Sequence, residues 1–337
     1  MTAVFDGQLI GVDVGGTKVA VAALEDARLS DPLVRPTEVT SAEGLVEEIV
    51  AGVDAVRSSR TVAVGVGVPS VVEFATGRVR SSANLRLADL DLRLVLTERL
   101  GLPAFVDNDA TVAALGEAFD DDGRAIVQNL VMFTVGTGVG GGLVLGGRVY
   151  RGATGAAGEL GHTLIGVDAS AGAPRALDFP QPGSLESLAA GRALDQLARE
   201  VAERSPSSLL GKLAAEGRVV DGSAAVDAAQ SGDPEAIEAL RTLGERLGLG
   251  IANALNTFDP DVIAVGGGVS RAGDLLLGPA VEVARRFTLP GVGERTDIRL
   301  ASYGREAGVR GAALLAGLEL AEGGDAVIPL GPEVERA

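Results

Sequence analysis

Three short glycine-rich turns give this sequence its clearest chemical signal, because each one directly follows a hydrophobic, strand-like segment. The turns are Gly15-Gly16-Thr17 after LIGVDV, Gly136-Thr137-Gly138 after LVMFTV, and Gly266-Gly267-Gly268 after VIAVG. Glycine lacks a Cβ atom and adopts positive φ readily, so such turns let backbone N–H groups approach an anionic ligand closely. Three of them at wide intervals indicate one nucleotide held across a cleft.

Two common phosphate-binding motifs nearly match these turns, and their context excludes both. Residues 11–18 resemble a Walker loop, but the order is Gly-Thr-Lys, and a strand-like segment follows where a helix is required. Residues 136–141 fit G-x-G-x-x-G, with Glu159 near the distance of a ribose-binding acid, yet GGLVLGGRVY alternates as a strand. No helix N-terminus is then available for a pyrophosphate, which argues against a dinucleotide site.

Two aspartates lie where strands lead into a turn or a helix. Asp13 precedes the first turn by two residues, and an acid inside the apolar run LIGVDV suits a Mg²⁺ ion held through a carboxylate and water beside nucleotide phosphates. Asp109 follows the strand-like PAFV at the start of a helix, which makes it the strongest candidate for proton transfer. Each has a structural alternative: Asp13 could stabilise the turn, and Asp109 could cap the helix.

The elements that must position these residues repeat in outline in the two halves of the chain. LIGVDV and KVAVAAL are joined by the first turn, and NLVMFTV and GGLVLGGRVY are joined by the second. This repeat predicts two related α/β domains that face each other, while two unrelated hairpins in one α/β protein are the alternative. The polar segment 120–123 marks the predicted boundary. Helical spacing predicts a core stripe at Ile237, Leu240, Leu243, Leu247 and Ile251.

The composition of the chain limits which binding partners and which cellular compartment we expect for the protein. The chain has 337 residues, 46% of them hydrophobic, which is enough for two domains with buried cores. Its formal net charge of −17 argues against nucleic acid and anionic membranes as partners, since both need a basic face. No apolar run approaches the length of a membrane span and the N-terminus lacks a signal-peptide pattern, so we expect a cytoplasmic protein. The absence of cysteine excludes disulfides and thiolate metal sites.

Five groups of segments, in chain order, resemble the sugar kinases of the ROK family (repressors, open reading frames and kinases). They are DVGGTKVAVAAL, GVGVPS with SANL, DNDATVAALGEA, GTGVGGGLVLGGRVYRGATGAAGELGH and FDPDVIAVGGGVS. The resemblance runs from Leu9 to the last helix. It implies an actin-like, hexokinase-type (ribonuclease H-like) α/β fold of two domains with a central cleft. We therefore expect an N-terminal domain over 1–119, completed by a helix near 307–322, a larger domain over 120–306, and a tail over 323–337.

The resemblance also implies roles for individual residues. Asp109 would be the general base that takes the proton of a sugar hydroxyl as this oxygen attacks the γ-phosphoryl group. The first two glycine turns, together with Lys18, would hold the phosphates, and the third turn would border the adenosine. The sugar would be contacted by Asn84, Asn108, Asp109, Glu159, His162 and Glu186.

Several of these sugar contacts have a plainer alternative in the local sequence. Glu186 follows Ser184 in the first turn of a helix, where an acid favours the helix dipole. Asn84 could stabilise a turn. His162 is the only histidine of the chain, and a lone histidine is more often structural than catalytic. Glu159, three residues earlier, strengthens the functional interpretation of His162.

The chain departs from the family pattern between GELGH and the helix that carries Glu186. Many members place a histidine and three cysteines around a structural zinc ion there, whereas GVDASAGAPRALDFPQP contains no cysteine. We therefore expect no zinc site, and other contacts must fix His162 and Glu186. Ser70 replaces a common glycine and Glu73 a common aspartate, which bears on the choice of sugar.

The leading functional hypothesis is an ATP-dependent kinase that transfers the γ-phosphoryl group to the 6-hydroxyl of a hexose, with glucose first among the acceptors. N-acylhexosamines, fructose and a polyphosphate donor are alternatives, and the complete GGGVS segment favours ATP over polyphosphate. A sugar-responsive repressor is disfavoured, because the chain is acidic and only eight residues precede Leu9. A sugar-binding protein without catalysis is the third hypothesis. The resemblance also implies a homodimer.

Overall fold

Runs of β-branched and small apolar residues in the two halves of the chain form two separate central sheets in a computed structural model of the protein. The structure describes residues 5–82, 85–170, 172, 173, 175 and 179–321. The chain divides into two compact units. Unit 1 contains the described residues 5–112, Asp121–Arg124 and 309–321, and unit 2 contains Ala113–Asp120 and Ala125–Gly308.

Unit 1 is built on a six-stranded sheet. The strands of unit 1, in this sheet and in a second sheet of two strands, are β1 (Gln8–Val14), β2 (Lys18–Glu25), β3 (Arg28–Leu29), β4 (Leu33–Pro36), β5 (Thr61–Val68), β6 (Ser70–Glu73), β7 (Arg78–Ser82) and β8 (Ala104–Asn108). The sheet order is β3-β2-β1-β5-β8 with β4 beside β2, and β6 pairs separately with β7. β1 and β2 form the antiparallel hairpin predicted around the first turn. β1, β5 and β8 run parallel, so their carboxyl ends meet at one edge.

Unit 2 contains the second sheet. Its strands are β9 (Leu130–Val135), β10 (Val139–Leu145), β11 (Arg148–Val149), β12 (Val262–Gly266) and β13 (Asp297–Leu300). They lie in the order β11-β10-β9-β12-β13. β9 and β10 form the second predicted hairpin, and β9, β12 and β13 run parallel. The second and third glycine turns therefore follow neighbouring strands, β9 and β12, at the same edge of this sheet.

Helices cover both sheets. They are α1 (Ala42–Val56), α2 (Leu92–Leu100), α3 (Asp109–Ala118), α4 (Leu185–Ala189), α5 (Gly191–Arg204), α6 (Leu209–Ala215), α7 (Gly222–Gln230), α8 (Pro234–Phe258), α9 (Asp274–Phe287) and α10 (Ala307–Ala321). Short 3-10 helices occupy Leu160–His162, Gly268–Ala272 and Gly304–Glu306. Over the part of the chain that the structure describes, no helix combines the length and the apolar character needed to cross a membrane.

The long helix α8 carries the core stripe that helical spacing predicts. Leu240, Leu243, Leu247 and Ile251 are fully buried, and Ile237 is partly buried against the same core. The helix starts where the Asp233 carboxylate accepts hydrogen bonds from two backbone amides of the first turn, both at 3.0 Å. α8 then packs along α9, and buried residues of both helices belong to the apolar core of unit 2.

Helix α10 lies so close to the sheet of unit 1 that two strand positions require glycine. A Cβ atom on Gly65 would lie 1.8 Å from the carbonyl oxygen of Ala312, and one on Gly11 would lie 1.9 Å from that of Val309. Side chains at these positions would force the helix away from the sheet. The contact fixes α10 against β1 and β5, and the carboxyl end of β1 leads into the first glycine turn.

Candidate active site

The carboxyl ends of β1, β5 and β8 bring the two candidate aspartates to one edge of the unit 1 sheet. In the parallel register Asp13 of β1 lies beside Gly67 of β5, and Gly67 lies beside Asp107 of β8. Asp109 is the first residue of α3, two positions after Asp107. Because Gly67 has no side chain, the first turn of α3 packs close to it: a Cβ atom there would lie 2.5 Å from the Val112 Cγ2 atom and 3.4 Å from the Asp109 Cα atom. The edge thus holds both acids where β1 enters the first glycine turn.

Asp13 and Asp109 interact electrostatically at this edge. Removal from water raises the pKa of Asp13 to about 7, and the negative charge of Asp109 contributes to the rise. A carboxylate that is difficult to ionise gains from a nearby divalent cation, and carboxylates together with phosphate oxygens and water suit Mg²⁺. Among the described residues, no three acidic, histidine or cysteine side chains form a complete metal site. A Mg²⁺ ion beside Asp13 would therefore need further ligands from a bound phosphate or from water.

The raised pKa of Asp13 has a measurable effect on stability. Since the folded-state pKa of about 7 exceeds the ordinary value of 3.8, this group stabilises the fold most below the ordinary value, and that contribution is lost as the pH rises to about 7. We expect Asp13→Asn to remove this loss and to raise the free energy of unfolding at pH 8 by up to about 4 kcal/mol. Urea unfolding in EDTA between pH 4 and pH 8 measures the difference.

The exposed Asp31 supplies the matched control for this experiment, because Asp31→Asn removes the same charge from a solvated position. Its unfolding free energy should follow the wild-type pH dependence. If the unfolding free energy of Asp13→Asn also follows the wild-type pH dependence, the pKa of Asp13 is not raised.

The cap at the start of α3 is supplied by Asn108. The side-chain oxygen of Asn108 accepts a hydrogen bond from the Thr111 amide at 3.1 Å, and its side-chain nitrogen donates to the Ser70 carbonyl oxygen at 3.3 Å. The Asp109 carboxylate accepts a hydrogen bond from the adjacent Ala110 amide at 2.8 Å. Asn108 and Asp109 therefore each accept a hydrogen bond from a first-turn amide of α3, and Asn108 binds the amide three residues further on, as an N-cap residue does.

The first glycine turn is held through its carbonyl groups. The Gly15 amide donates to the Lys18 carbonyl oxygen at 2.8 Å. Thr37, which follows β4, donates from its hydroxyl to the Gly15 carbonyl oxygen at 2.8 Å and from its amide to the Thr17 carbonyl oxygen at 3.1 Å. Gly16, Thr17 and Lys18 are exposed, and the amides of Gly16 and Thr17 have no acceptor within the described ranges. Exposed amides of this kind are what an anion-binding turn requires.

The second glycine turn is held in a similar way. The Gly136 amide donates to the Gly138 carbonyl oxygen at 2.9 Å, and the Gly136 carbonyl oxygen accepts a hydrogen bond from the Gly191 amide at 2.7 Å. The amide of Val139, directly after the turn, donates to Oε2 of Glu186 at 2.8 Å. The central residue of the turn is exposed, and its amide has no acceptor in the part of the chain that the structure covers. Both turns therefore combine fixed carbonyls with available amides.

Glu186 packs directly against the second turn. The Ser184 hydroxyl caps α4 by accepting a hydrogen bond from the Ser187 amide at 3.2 Å, and this cap places Glu186 in the first turn of the helix. Gly138 leaves the space that the carboxylate occupies, since a Cβ atom there would lie 2.4 Å from the Glu186 Oε2 atom. Neither interpretation of Glu186 drawn from the sequence, a helix-dipole contact or a sugar contact, includes this link to a glycine turn.

Glu159 and His162 lie near Glu186 in unit 2. A 3-10 helix follows Glu159, and the Glu159 Oε2 atom lies 3.7 Å from the Nε2 atom of His162. Burial raises the pKa of Glu159; His162 opposes this rise, whereas the Glu186 carboxylate adds to it. Two carboxylates that accept hydrogen bonds and an imidazole that can donate one are suited to neighbouring hydroxyl groups of a sugar.

The cysteine-free segment after His162 is fixed at its ends by protein contacts. The Gly183 carbonyl oxygen accepts two amide hydrogen bonds, from Ile165 at 2.8 Å and from Gly166 at 3.0 Å. The rings of Phe179 and His162 meet edge to face, with centroids 5.4 Å apart and planes at 83°. The aromatic pair therefore adds to the Glu159 contact in orienting His162, and the two hydrogen bonds close the base of the segment.

The third glycine turn follows β12. Gly266 ends the strand, Gly267 has a φ of +88°, and Gly268 begins a 3-10 helix in which the Ser270 hydroxyl donates to the Gly267 carbonyl oxygen at 2.7 Å. Gly267 and Gly268 are exposed. Asn84, the remaining predicted sugar contact, lies outside the described residues.

The predicted site residues form two groups, one in each unit. Unit 1 brings together Asp13, Asn108 and Asp109 with the first turn and Lys18. Unit 2 brings together Glu159, His162 and Glu186 with the second turn, and the third turn follows the neighbouring strand. Two residues that hold the turns, Thr37 and Gly191, were missed by sequence reasoning. The available signals were weak: a hydroxyl residue after a proline-ended strand, and a glycine at a helix start.

Comparisons with known proteins place these groups in context. The sequence model of the ROK family matches residues 9–318. A glucokinase of Halalkalibacterium halodurans is 35% identical over 315 residues, which cover 91% of this chain and 94% of that protein. The crystal structure of a ROK family glucokinase from Streptomyces griseus in complex with glucose and AMPPNP is 33% identical, with a TM-score of 0.78 over 92% of this chain and 99% of that chain.

A second solved structure supports the same fold. The ROK hexokinase from Thermus thermophilus is 34% identical, with a TM-score of 0.69 over 94% of this chain and 99% of that chain. These similarities confirm the predicted actin-like, hexokinase-type α/β fold class. Because the family match covers nearly the whole chain, this protein belongs to the ROK family.

Proposed function

We propose that this protein phosphorylates a hexose at its 6-hydroxyl with ATP as the donor, and that glucose is the preferred acceptor. The observation that carries the proposal is the pair of Asp13 and Asp109 at the edge where the parallel strands β1, β5 and β8 end, and where β1 enters a turn with exposed amides. The relatives from Halalkalibacterium halodurans and Streptomyces griseus are glucokinases, and the second was solved with glucose and AMPPNP. These two relatives support glucose and ATP as the substrates here.

In this proposal Asp109 is the general base. Its carboxylate accepts the proton of the sugar 6-hydroxyl while that oxygen attacks the γ-phosphorus of ATP. The new O–P bond forms as the bond from the γ-phosphorus to the bridging oxygen breaks, so that ADP leaves with that electron pair. Phosphoryl transfer depends mainly on positioning and charge neutralisation, so one base, a metal ion and backbone groups that bind phosphate would be a sufficient set.

The glycine turns are assigned to the nucleotide. The turns Gly15–Thr17 and Gly136–Gly138 would bind phosphate oxygens through those of their amides that make no hydrogen bond within the turn. Lys18 would add a positive charge beside the first turn, and Gly266–Gly268 would border the adenosine. Asp13 would hold Mg²⁺ through water. When bound, this ion would neutralise charge on the phosphates.

The hydroxyl groups of the sugar are assigned to Asn84, Asn108, Glu159, His162 and Glu186. For Asn108 the cap occupies one acceptor position of the side-chain oxygen, and the bond to Ser70 occupies one N–H. One acceptor position and one N–H are then still available for a sugar hydroxyl. The carboxylates of Glu159 and Glu186 would accept hydrogen bonds from further hydroxyl groups.

A coupled assay of ADP release tests the proposed reaction. We would supply MgATP with glucose, fructose, mannose, N-acetylglucosamine or N-acetylmannosamine, and compare kcat/KM. If kcat/KM is highest for glucose, the proposal is supported. If kcat/KM is higher for another sugar, that sugar is the preferred acceptor in place of glucose. No ADP release with any sugar contradicts the kinase activity. Parallel reactions with polyphosphate test the donor, and chelation of Mg²⁺ or of zinc tests the expected metal dependence.

We also propose that the protein acts as a cytoplasmic homodimer that does not bind nucleic acid. The family resemblance supports the dimer, and the cytoplasm supplies the proposed donor, ATP. The net charge of −17 disfavours nucleic acid as a partner. Mass photometry measures the assembly, and titration of labelled duplex DNA by fluorescence anisotropy tests the last point.

A further inference from the structure

Thr37 connects the first glycine turn to the neighbouring strand. Its hydroxyl donates to the Gly15 carbonyl oxygen at 2.8 Å, and its amide donates to the Thr17 carbonyl oxygen at 3.1 Å. One residue therefore holds two of the three carbonyl groups of the turn. The side chain is half-buried, which limits the access of water that could replace it.

Holding these carbonyls also directs the amides that follow them. A peptide unit is planar and trans, so its C=O and N–H groups point in opposite directions. Fixing the Gly15 carbonyl therefore fixes the direction of the Gly16 amide. Fixing the Thr17 carbonyl does the same for the Lys18 amide. Because the Gly15 and Thr17 carbonyl groups point towards Thr37, the Gly16 and Lys18 amides point away from it. Both amides belong to exposed residues.

We propose that Thr37 is a positioning residue for the phosphates of the nucleotide donor, acting through the backbone of the first glycine turn. The assignment rests on the proposed function, because it takes this turn as a phosphate-binding element. Without the hydroxyl hydrogen bond the Gly15–Gly16 peptide is free to rotate, and the Gly16 amide must then be ordered when the nucleotide binds. The cost of that ordering appears as weaker nucleotide binding, whereas sugar binding is unaffected.

The position of Thr37 follows from the pairing of two short segments. β4 runs antiparallel to β2, with Pro36 opposite Lys18, so the next residue, Thr37, continues along the turn. After Thr37, the Ser41 hydroxyl accepts a hydrogen bond from the Gly44 amide at 3.0 Å and so caps α1. Thr37 is thus held between a paired strand and a capped helix, and this restricts the orientation of its hydroxyl.

Isothermal titration calorimetry with MgAMPPNP and, separately, with glucose tests the proposal on the full-length protein. Thr37→Val keeps the shape of the side chain and removes the hydroxyl. We expect it to raise the Kd for MgAMPPNP about fivefold to tenfold, as for the loss of one hydrogen bond, with no change in the Kd for glucose. Thr37→Ser restores the hydroxyl, and its Kd for MgAMPPNP should lie within about twofold of the wild-type value.

Thr40→Val is the matched control. The Thr40 hydroxyl lies in the same loop but donates to the Glu38 carboxylate rather than to the turn. This variant should bind MgAMPPNP as the wild type does. Thermal unfolding of all four proteins distinguishes a local change at the turn from a general loss of structure.

Two results would overturn the role of Thr37. The first is an unchanged Kd for MgAMPPNP in Thr37→Val. The second is an equal loss of nucleotide and glucose binding together with a lower Tm, which would make Thr37 a general structural residue. A wild-type protein that binds MgAMPPNP but phosphorylates no sugar would contradict the proposed function alone, since the Kd comparison would still decide the role of Thr37. A wild-type protein that does not bind MgAMPPNP would reject both.

Discussion

Replacing Asp109 with asparagine is expected to lower kcat by about two to four orders of magnitude, the usual contribution of a general base. Asparagine has nearly the same shape, and its oxygen can still accept the hydrogen bond that the Ala110 amide donates at 2.8 Å. It cannot accept the proton of the sugar hydroxyl. The Kd values for glucose and MgAMPPNP should therefore change little, and steady-state kinetics combined with calorimetry would separate the two effects.

Asp274→Asn is the control for removing a negative charge from the first turn of a helix. Asp274 is the first residue of α9, just as Asp109 is the first residue of α3, so both substitutions remove an acid from the first turn of a helix. We expect the kcat of Asp274→Asn to equal that of the wild type. If Asp109→Asn keeps more than about a tenth of the wild-type kcat, Asp109 is not the general base.

The Asp109→Asn variant gives a second readout that does not require turnover. The negative charge of Asp109 contributes to the raised pKa of Asp13. Its removal should lower the pKa of Asp13 and shift the associated loss of stability to lower pH. Urea unfolding in EDTA would detect this shift even if the proposed substrates were wrong.

The parts of the fold that local sequence patterns determine were predicted correctly. Both hairpins follow from glycine turns between alternating apolar segments, and the buried stripe of α8 follows from apolar residues at helical spacing. The position of Asp109 at the junction of β8 and α3 was predicted for the same reason. Each of these features needs information from only one short stretch of chain.

The contacts that hold the site depend on segments far apart in the sequence, and these were not predicted. Thr37 reaches the first turn only because β4 pairs with β2, and β4 has four residues with no distinctive pattern. Glu186 reaches the Val139 amide from 47 positions away. The capping role of Asn108 was also missed, because neighbouring Asn and Asp residues are equally suited to cap a helix. The roles of the site residues in catalysis and sugar binding stay predictions.

The contact between Glu186 and the second turn leads to the other large expected effect. We expect Gly138→Ala to lower kcat/KM for glucose by about tenfold to a hundredfold. The new methyl group would lie 2.4 Å from Oε2 of Glu186, so the carboxylate would have to move and the Val139 amide would lose its acceptor. Because the side chain of Glu186 is flexible at its end, the fold should tolerate the change, with a Tm close to that of the wild type. Steady-state kinetics with both substrates varied would measure the effect.

Gly136→Ala separates the displacement of Glu186 from a general effect of adding a methyl group to the turn. A Cβ atom on Gly136 would meet no protein atom within 4 Å, so it would leave Glu186 in place. If this space receives phosphate, Gly136→Ala raises the KM for ATP only, whereas Gly138→Ala raises the KM for glucose as well. An unchanged KM for glucose in Gly138→Ala would mean that Glu186 supports the turn without contacting the sugar. A rise in that KM, seen in Gly138→Ala and absent from Gly136→Ala, would mean that one carboxylate serves both the sugar and the phosphate-binding turn.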